Sequence, residues 1–94
     1  MMTVFKYRLA IADSNIVHGP IVRPLSVAIQ RGTPCLWAVV DTRMPNAEYE
    51  VICVGTGCDM SDLSPDDYLN TIISADGGTV LHWFCREIQE GDSE

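Results

Sequence analysis

The stretch Leu25-Ser26-Val27-Ala28-Ile29-Gln30-Arg31-Gly32-Thr33-Pro34-Cys35-Leu36-Trp37-Ala38-Val39-Val40-Asp41 consists of two apolar runs joined by a polar, glycine-containing bend. Both runs are rich in β-branched residues, which is the pattern of a β-hairpin. In the first run Leu25, Val27 and Ile29 alternate with Ser26, Ala28 and Gln30, so one face is apolar and the other polar. From Cys35 to Val40 the second run is apolar on both faces, which predicts a central strand covered on each side. Arg31-Gly32-Thr33 supplies the bend.

The same two-residue period extends outward. Near the N-terminus Phe5, Tyr7, Leu9 and Ile11 alternate with Val4, Lys6, Arg8 and Ala10, predicting a half-buried strand with its basic side chains outward. Turn signals at Asp13-Ser14-Asn15 and Gly19-Pro20 leave Ile16-Val17 as a short edge strand. Beyond the hairpin, Asp41 to Ala47 is a loop and Glu48 to Thr56 another long strand. Tyr68 to Ser74 and Thr79 to Arg86 make a last hairpin, closed by Ala75-Asp76-Gly77-Gly78. Between them, Ser64 can cap one helical turn with Pro65 at its first position. The expected fold is all-β: a small antiparallel sandwich or partly open barrel of six to seven strands.

Ninety-four residues suffice for one domain, and 47% hydrophobic residues fill its core without a staple. The expected domain covers residues 1–88, with an acidic, disordered tail at 89–94. Thirteen acidic residues against six basic ones leave a net charge of −7. That charge disfavours direct nucleic-acid binding, which needs Lys and Arg, and favours basic partners. The longest uncharged apolar stretch, Cys35 to Val40, is too short to cross a bilayer as a helix. Without an apolar leader-like run at the N-terminus a cytoplasmic location is expected, with Cys35, Cys53, Cys58 and Cys85 reduced.

None of these cysteines forms the close pairs of a structural zinc site, and three lie in predicted strands, where cysteine packs as a small apolar group. No metal, cofactor or catalytic residue is expected. Cys58 follows Gly57 in a loop, and its use as a nucleophile would require His82 beside it. Gly55-Thr56-Gly57 is too short for a phosphate-binding glycine loop, so a turn explains its glycines, with Thr56 able to touch a ligand. Asp59, Asp62, Asp66 and Asp67 lack the order of a calcium loop and instead offer charge to a basic partner. In the last strand Trp83 shares a face with Leu81 and Cys85, and His82 shares the other with Val80 and Phe84. Either face, if left open, is an apolar patch for a partner or a second subunit. The candidate partner- or ligand-binding residues are thus Gly55, Thr56, Gly57, Asp59, Asp62, Asp66, Asp67 and His82.

The central hairpin, Phe5-Lys6-Tyr7-Arg8-Leu9, Gly55-Thr56-Gly57 and Gly77-Gly78-Thr79-Val80-Leu81-His82-Trp83-Phe84 together resemble a family of small bacteriophage-encoded proteins. The likeness spans nearly the whole chain. Its core motif is Leu-Ser-Val-x-x-Gln-x-Gly-x-Pro-x-Leu-Trp-Ala-x-Val-Asp. Such proteins place His after Gly-Thr-Gly where this chain has Cys58, so no ligand role carries over to that position. The resemblance implies a phage protein without established enzymatic activity. The expected function is binding in the host bacterial cell: inhibition or redirection of a host complex, in the manner of an anti-defence (anti-CRISPR-like) protein. The alternative is an oligomeric sponge holding a nucleotide-like molecule near Gly55–Gly57 and His82.

Overall fold

The structure, a computed structural model, describes residues 1–88, so the expected tail at 89–94 lies outside the described residues. Among the described residues seven strands form two sheets with every neighbouring pair antiparallel. They are β1 (Met2–Arg8), β2 (Ser14–Gly19), β3 (Ile21–Gln30), β4 (Thr33–Asp41), β5 (Ala47–Gly55), β6 (Tyr68–Ile73) and β7 (Val80–Glu87). The first sheet has the order β1-β4-β3 and the second β2-β5-β7-β6. The expected helical turn is a 3-10 turn over Pro65–Asp67 with Ser64 as its cap. No helix among the described residues is long and apolar enough to cross a membrane.

The Leu25–Asp41 hairpin is β3 and β4. Its bend is a two-residue turn, with Arg31 at φ 52 and Gly32 at φ 80 between the paired Gln30 and Thr33. Positive φ at both positions matches the twist of the flanking strands. As expected, β4 is central in its sheet. Leu36, Ala38 and Val40 point inward and are fully buried. They meet Val51 of β5 and Trp83 and Cys85 of β7 in one core, with Val17, Ile21 and Val27 around it. This contiguous apolar layer is the main driving force for closing the two sheets.

Three inward expectations fail for identifiable reasons. β4 is covered by a second sheet on one face only, because the described residues build just two sheet layers; Trp37 and Val39 on the other face are half-buried. Ile11 lies past the end of β1 in the turn and is 90% exposed, while Phe5, on an edge strand, is 40% exposed. Register shifts at Ile21/Arg23 and Pro24/Ser26 leave Val22 and Leu25 unpaired and exposed, so β3 does not keep one uniform face. Pro24 is tolerated because β3 is an edge strand.

That edge is closed by a side chain. Asn70 of β6 accepts a hydrogen bond from the Val27 N–H at 2.8 Å and donates its amide to the Val27 carbonyl at 2.7 Å. Its carboxamide thus imitates a neighbouring strand and ties the first sheet to the second. Tyr49 adds a second tie, its hydroxyl donating to the Ile21 carbonyl at 2.9 Å.

Candidate binding surface

In an antiparallel pair, directly opposite residues share a face. Since Trp83 and Cys85 are in the core, His82, Phe84 and Arg86 of β7 must lie on the outer face of the second sheet. Ile52 and Glu50 of β5 and Tyr68 and Thr71 of β6 lie beside them. Phe84 is nonetheless only 4% exposed. Tyr68 stands edge-on to it, with centroids 5.7 Å apart at 71°. The Thr56–Asp67 segment passes on the same side and leaves a cleft of about 410 Å³ against β5, lined by Ile52, Met60 and Leu63 among others. The apolar face offered by Phe84 is therefore already used within the chain.

Each candidate residue can now be placed. Gly55 ends β5 opposite Leu81. Thr56 and Gly57 form a turn in which the Cys58 N–H donates to the Gly55 carbonyl at 3.1 Å. Gly57 takes φ 85 there, the left-handed value that the third residue of a type II turn requires. Thr56 Oγ1 lies 2.7 Å from His82 Nε2, and Thr71 Oγ1 lies 2.9 Å from His82 Nδ1. Thr71 in turn meets the Tyr68 hydroxyl at 2.7 Å. The imidazole is held on both nitrogens by hydroxyls, and it braces the turn against β6 and β7. Cys58 is exposed and is not among the hydrogen-bond partners of His82.

The acidic segment is ordered by local bonds. Asp59 accepts from the Ser61 hydroxyl at 2.8 Å and the Ser61 N–H at 3.0 Å, and these bonds hold its carboxyl below its ordinary pKa. Ser64 Oγ accepts from the Asp66 N–H at 3.2 Å, capping the 3-10 turn that carries Asp66 and Asp67. Arg86 joins the segment to the sheet, donating from Nη1 to the Asp62 carbonyl at 3.1 Å. The same guanidinium donates from Nε and Nη2 to Glu50 Oε1 at 3.2 and 3.0 Å. Glu50 also accepts from the Ser14 hydroxyl at 2.7 Å. The Ser14 bond first, then Arg86, lowers the pKa of Glu50. Ser14, Glu50 and Arg86 thereby connect three strands to the acidic loop.

None of the carboxylates of Asp59, Asp62, Asp66 and Asp67 forms an ion pair among the described residues. The first three are exposed and Asp67 is half-buried. Elsewhere, among the described residues, no group of three His, Cys, Asp or Glu side chains is gathered for a metal ion. Burial pushes the Cys85 thiol up to about 12, and it raises Cys53 as well. Such thiols stay protonated and are poor nucleophiles near neutral pH.

Sequence reasoning missed Arg86, Glu50, Ser14, Thr71 and Tyr68. Their roles depend on cross-strand register, which local patterns do not reveal. Against known families, residues 1–93 match the profile described as Domain of unknown function (DUF7352). No curated protein and no solved structure matches the chain.

Proposed function

We propose that this chain, which belongs to the DUF7352 family, is a phage-encoded binding module that acts without catalysis. Its Asp59–Asp67 loop docks on the basic surface of a bacterial host complex in the cytoplasm, a defence system being the class we favour. One observation carries the reading: the loop backbone is pinned by Arg86 and the Ser64 cap while its four carboxylates are left without cations among the described residues. Pre-ordering lowers the entropy lost on docking, and unpaired charge speeds the encounter with a basic surface.

The surroundings of His82 support a non-catalytic role. Thr56 and His82 are at nucleophile–base distance, but Nδ1 faces a threonine hydroxyl rather than a carboxylate. A neutral hydroxyl stabilises the imidazolium far less than the Asp of a catalytic triad does. Against the sponge reading, Thr56 itself occupies the position facing Nε2 that a ligand would take.

The test is recovery of partners from bacterial lysate on the immobilised full chain, beside an Asp62→Asn/Asp66→Asn variant. Both side chains lie outside the Arg86 brace, so the variant keeps the loop conformation. Wild type should retain a defined protein at low salt, release it as salt rises, and lose it in the variant. Equal retention by the variant would overturn the assignment.

A further inference from the structure

The outer face of the first sheet has the opposite character. Lys6 and Arg8 alternate with the inward Tyr7 on β1, and the register puts Arg8 beside Cys35 and Cys35 beside Ala28. Lys6, Arg8, Thr33, Cys35 and Gln30 therefore share one face, with Arg31 in the turn at its end. Lys6 Nζ crosses above β4 to donate to Gln30 Oε1 at 2.9 Å. Together these side chains frame an open cleft of about 400 Å³.

The chemistry of this cleft is one-sided. Lys6, Arg8 and Arg31 are three of the six Lys and Arg residues in a chain that carries thirteen acids, yet among the described residues no carboxylate lines the space. None of the three is in an ion pair among the described residues. The Gln30 side-chain oxygen is already used by Lys6, so what the amide still offers is its N–H donors. Thr33 adds a hydroxyl. Arg31 is also the sole non-glycine residue with positive φ among those described, at a turn position where Asn, Asp or Gly is ordinary. A guanidinium is thus kept at the cleft against local backbone preference.

We propose that this cleft binds a small soluble phosphate ester or diphosphate. Forked guanidiniums and an ammonium match the several oxygens of a phosphoryl group, and Arg engages two at once. The net charge of −7 selects the size of the ligand. An extended polyanion would run past the cleft into the field of the acids, whereas a compact anion within one Debye length, about 8 Å, meets only the local cations.

The experiment titrates inorganic pyrophosphate into the isotope-labelled full chain and follows backbone amides by NMR at physiological ionic strength. Amides of Lys6, Arg8 and the Arg31–Cys35 segment should shift saturably, with a dissociation constant below about 1 mM, while those of Ser61–Asp67 stay in place. Arg31→Gly removes one cation and suits the positive φ, so the turn survives; affinity should drop roughly tenfold. Lys6→Gln should weaken binding similarly. Absence of saturation, equal shifts from acetate at matched ionic strength, or undiminished affinity in Arg31→Gly would overturn the proposal. Because the titration uses no partner and leaves Asp62 and Asp66 untouched, its outcome is independent of the docking test.

Discussion

Removing the Asn70 side chain should do more damage than its half-exposed position suggests. Val27 is 1% exposed, and its N–H and carbonyl on the edge of β3 are both satisfied by the Asn70 carboxamide. In Asn70→Ala both groups lose their partner together. A buried backbone group left unpaired costs about 1–3 kcal/mol, so two cost about 2–6 before relaxation. Water entering at the seam recovers part of this, which leaves an expected loss of about 3 kcal/mol. Domains of this size are stable by only about 5–15 kcal/mol. With a urea m-value near 1.5 kcal/mol/M, the unfolding midpoint should fall by about 2 M. Asn70→Asp sharpens the test. Its carboxylate still accepts from the Val27 N–H but repels the Val27 carbonyl, whereas the protonated acid can satisfy both. Its folded pKa should be raised, so the stabilising form is fully present below the unfolded value, near 3.9, and is lost as pH rises through the folded one. The gap to wild type should therefore narrow on acidification. A midpoint shift in Asn70→Ala worth under about 0.5 kcal/mol, or a gap for Asn70→Asp that does not depend on pH, would refute the strand-mimic account.

Acid sensitivity should draw on Asp41 and Glu50. The Arg43 side chain, through hydrogen bonds of 3.0 and 2.8 Å, then its backbone N–H, holds Asp41 well below the usual carboxylate range, and Glu50 is lowered by Ser14 and Arg86. Their stabilisation is complete above the unfolded values of 3.8 and 4.5 and disappears as pH falls through the lower folded ones, so Asp41→Asn should flatten the decline in Tm below pH ~4. Thiol titration of the native chain with an aromatic disulfide should show Cys58 reacting first, because Cys35 and Cys85 are buried and Cys53 is raised by burial; simultaneous reaction of all four would contradict the packing. Gly19→Ala should destabilise, since its Cβ would overlap the Tyr7 hydroxyl, by about 1–3 kcal/mol. Tyr7→Phe should be nearly neutral, as that hydroxyl is buried without a partner among the described residues, and the double variant should recover part of the loss; strict additivity in urea melts would exclude the contact.

The local pattern made the strands legible. Period-two alternation located β1, β3, β5 and β7, turn residues delimited them, and Ser64-Pro65 announced the 3-10 turn. It failed at Leu25, because a bulge adds a residue without any compositional mark, and at the outer side of β4, because an apolar residue on a two-layer fold can remain half open. Of the candidate site, Thr56 and His82 are brought together, but as a brace with Thr71 and Tyr68. In the sequence Arg86 marks only the end of the last hairpin. Only the register that sets it opposite Glu50 gives it the acidic loop to hold.

The two outer faces can operate separately, and screening decides the point. The cleft of Lys6, Arg8 and Arg31 belongs to the first sheet, and the Asp59–Asp67 segment lies over the second. The shortest axis of the molecule is 20 Å. At about that separation in water two unit charges interact by about 0.2 kcal/mol, and with a Debye length of about 8 Å screening removes most of this. An anion seated on one face therefore leaves the field at the other nearly unchanged. Filling the basic cleft with pyrophosphate should not alter the salt dependence with which the acidic loop retains its partner. A marked change would mean that the sheets shift against each other on binding, which the Asn70 tie between β6 and β3 opposes.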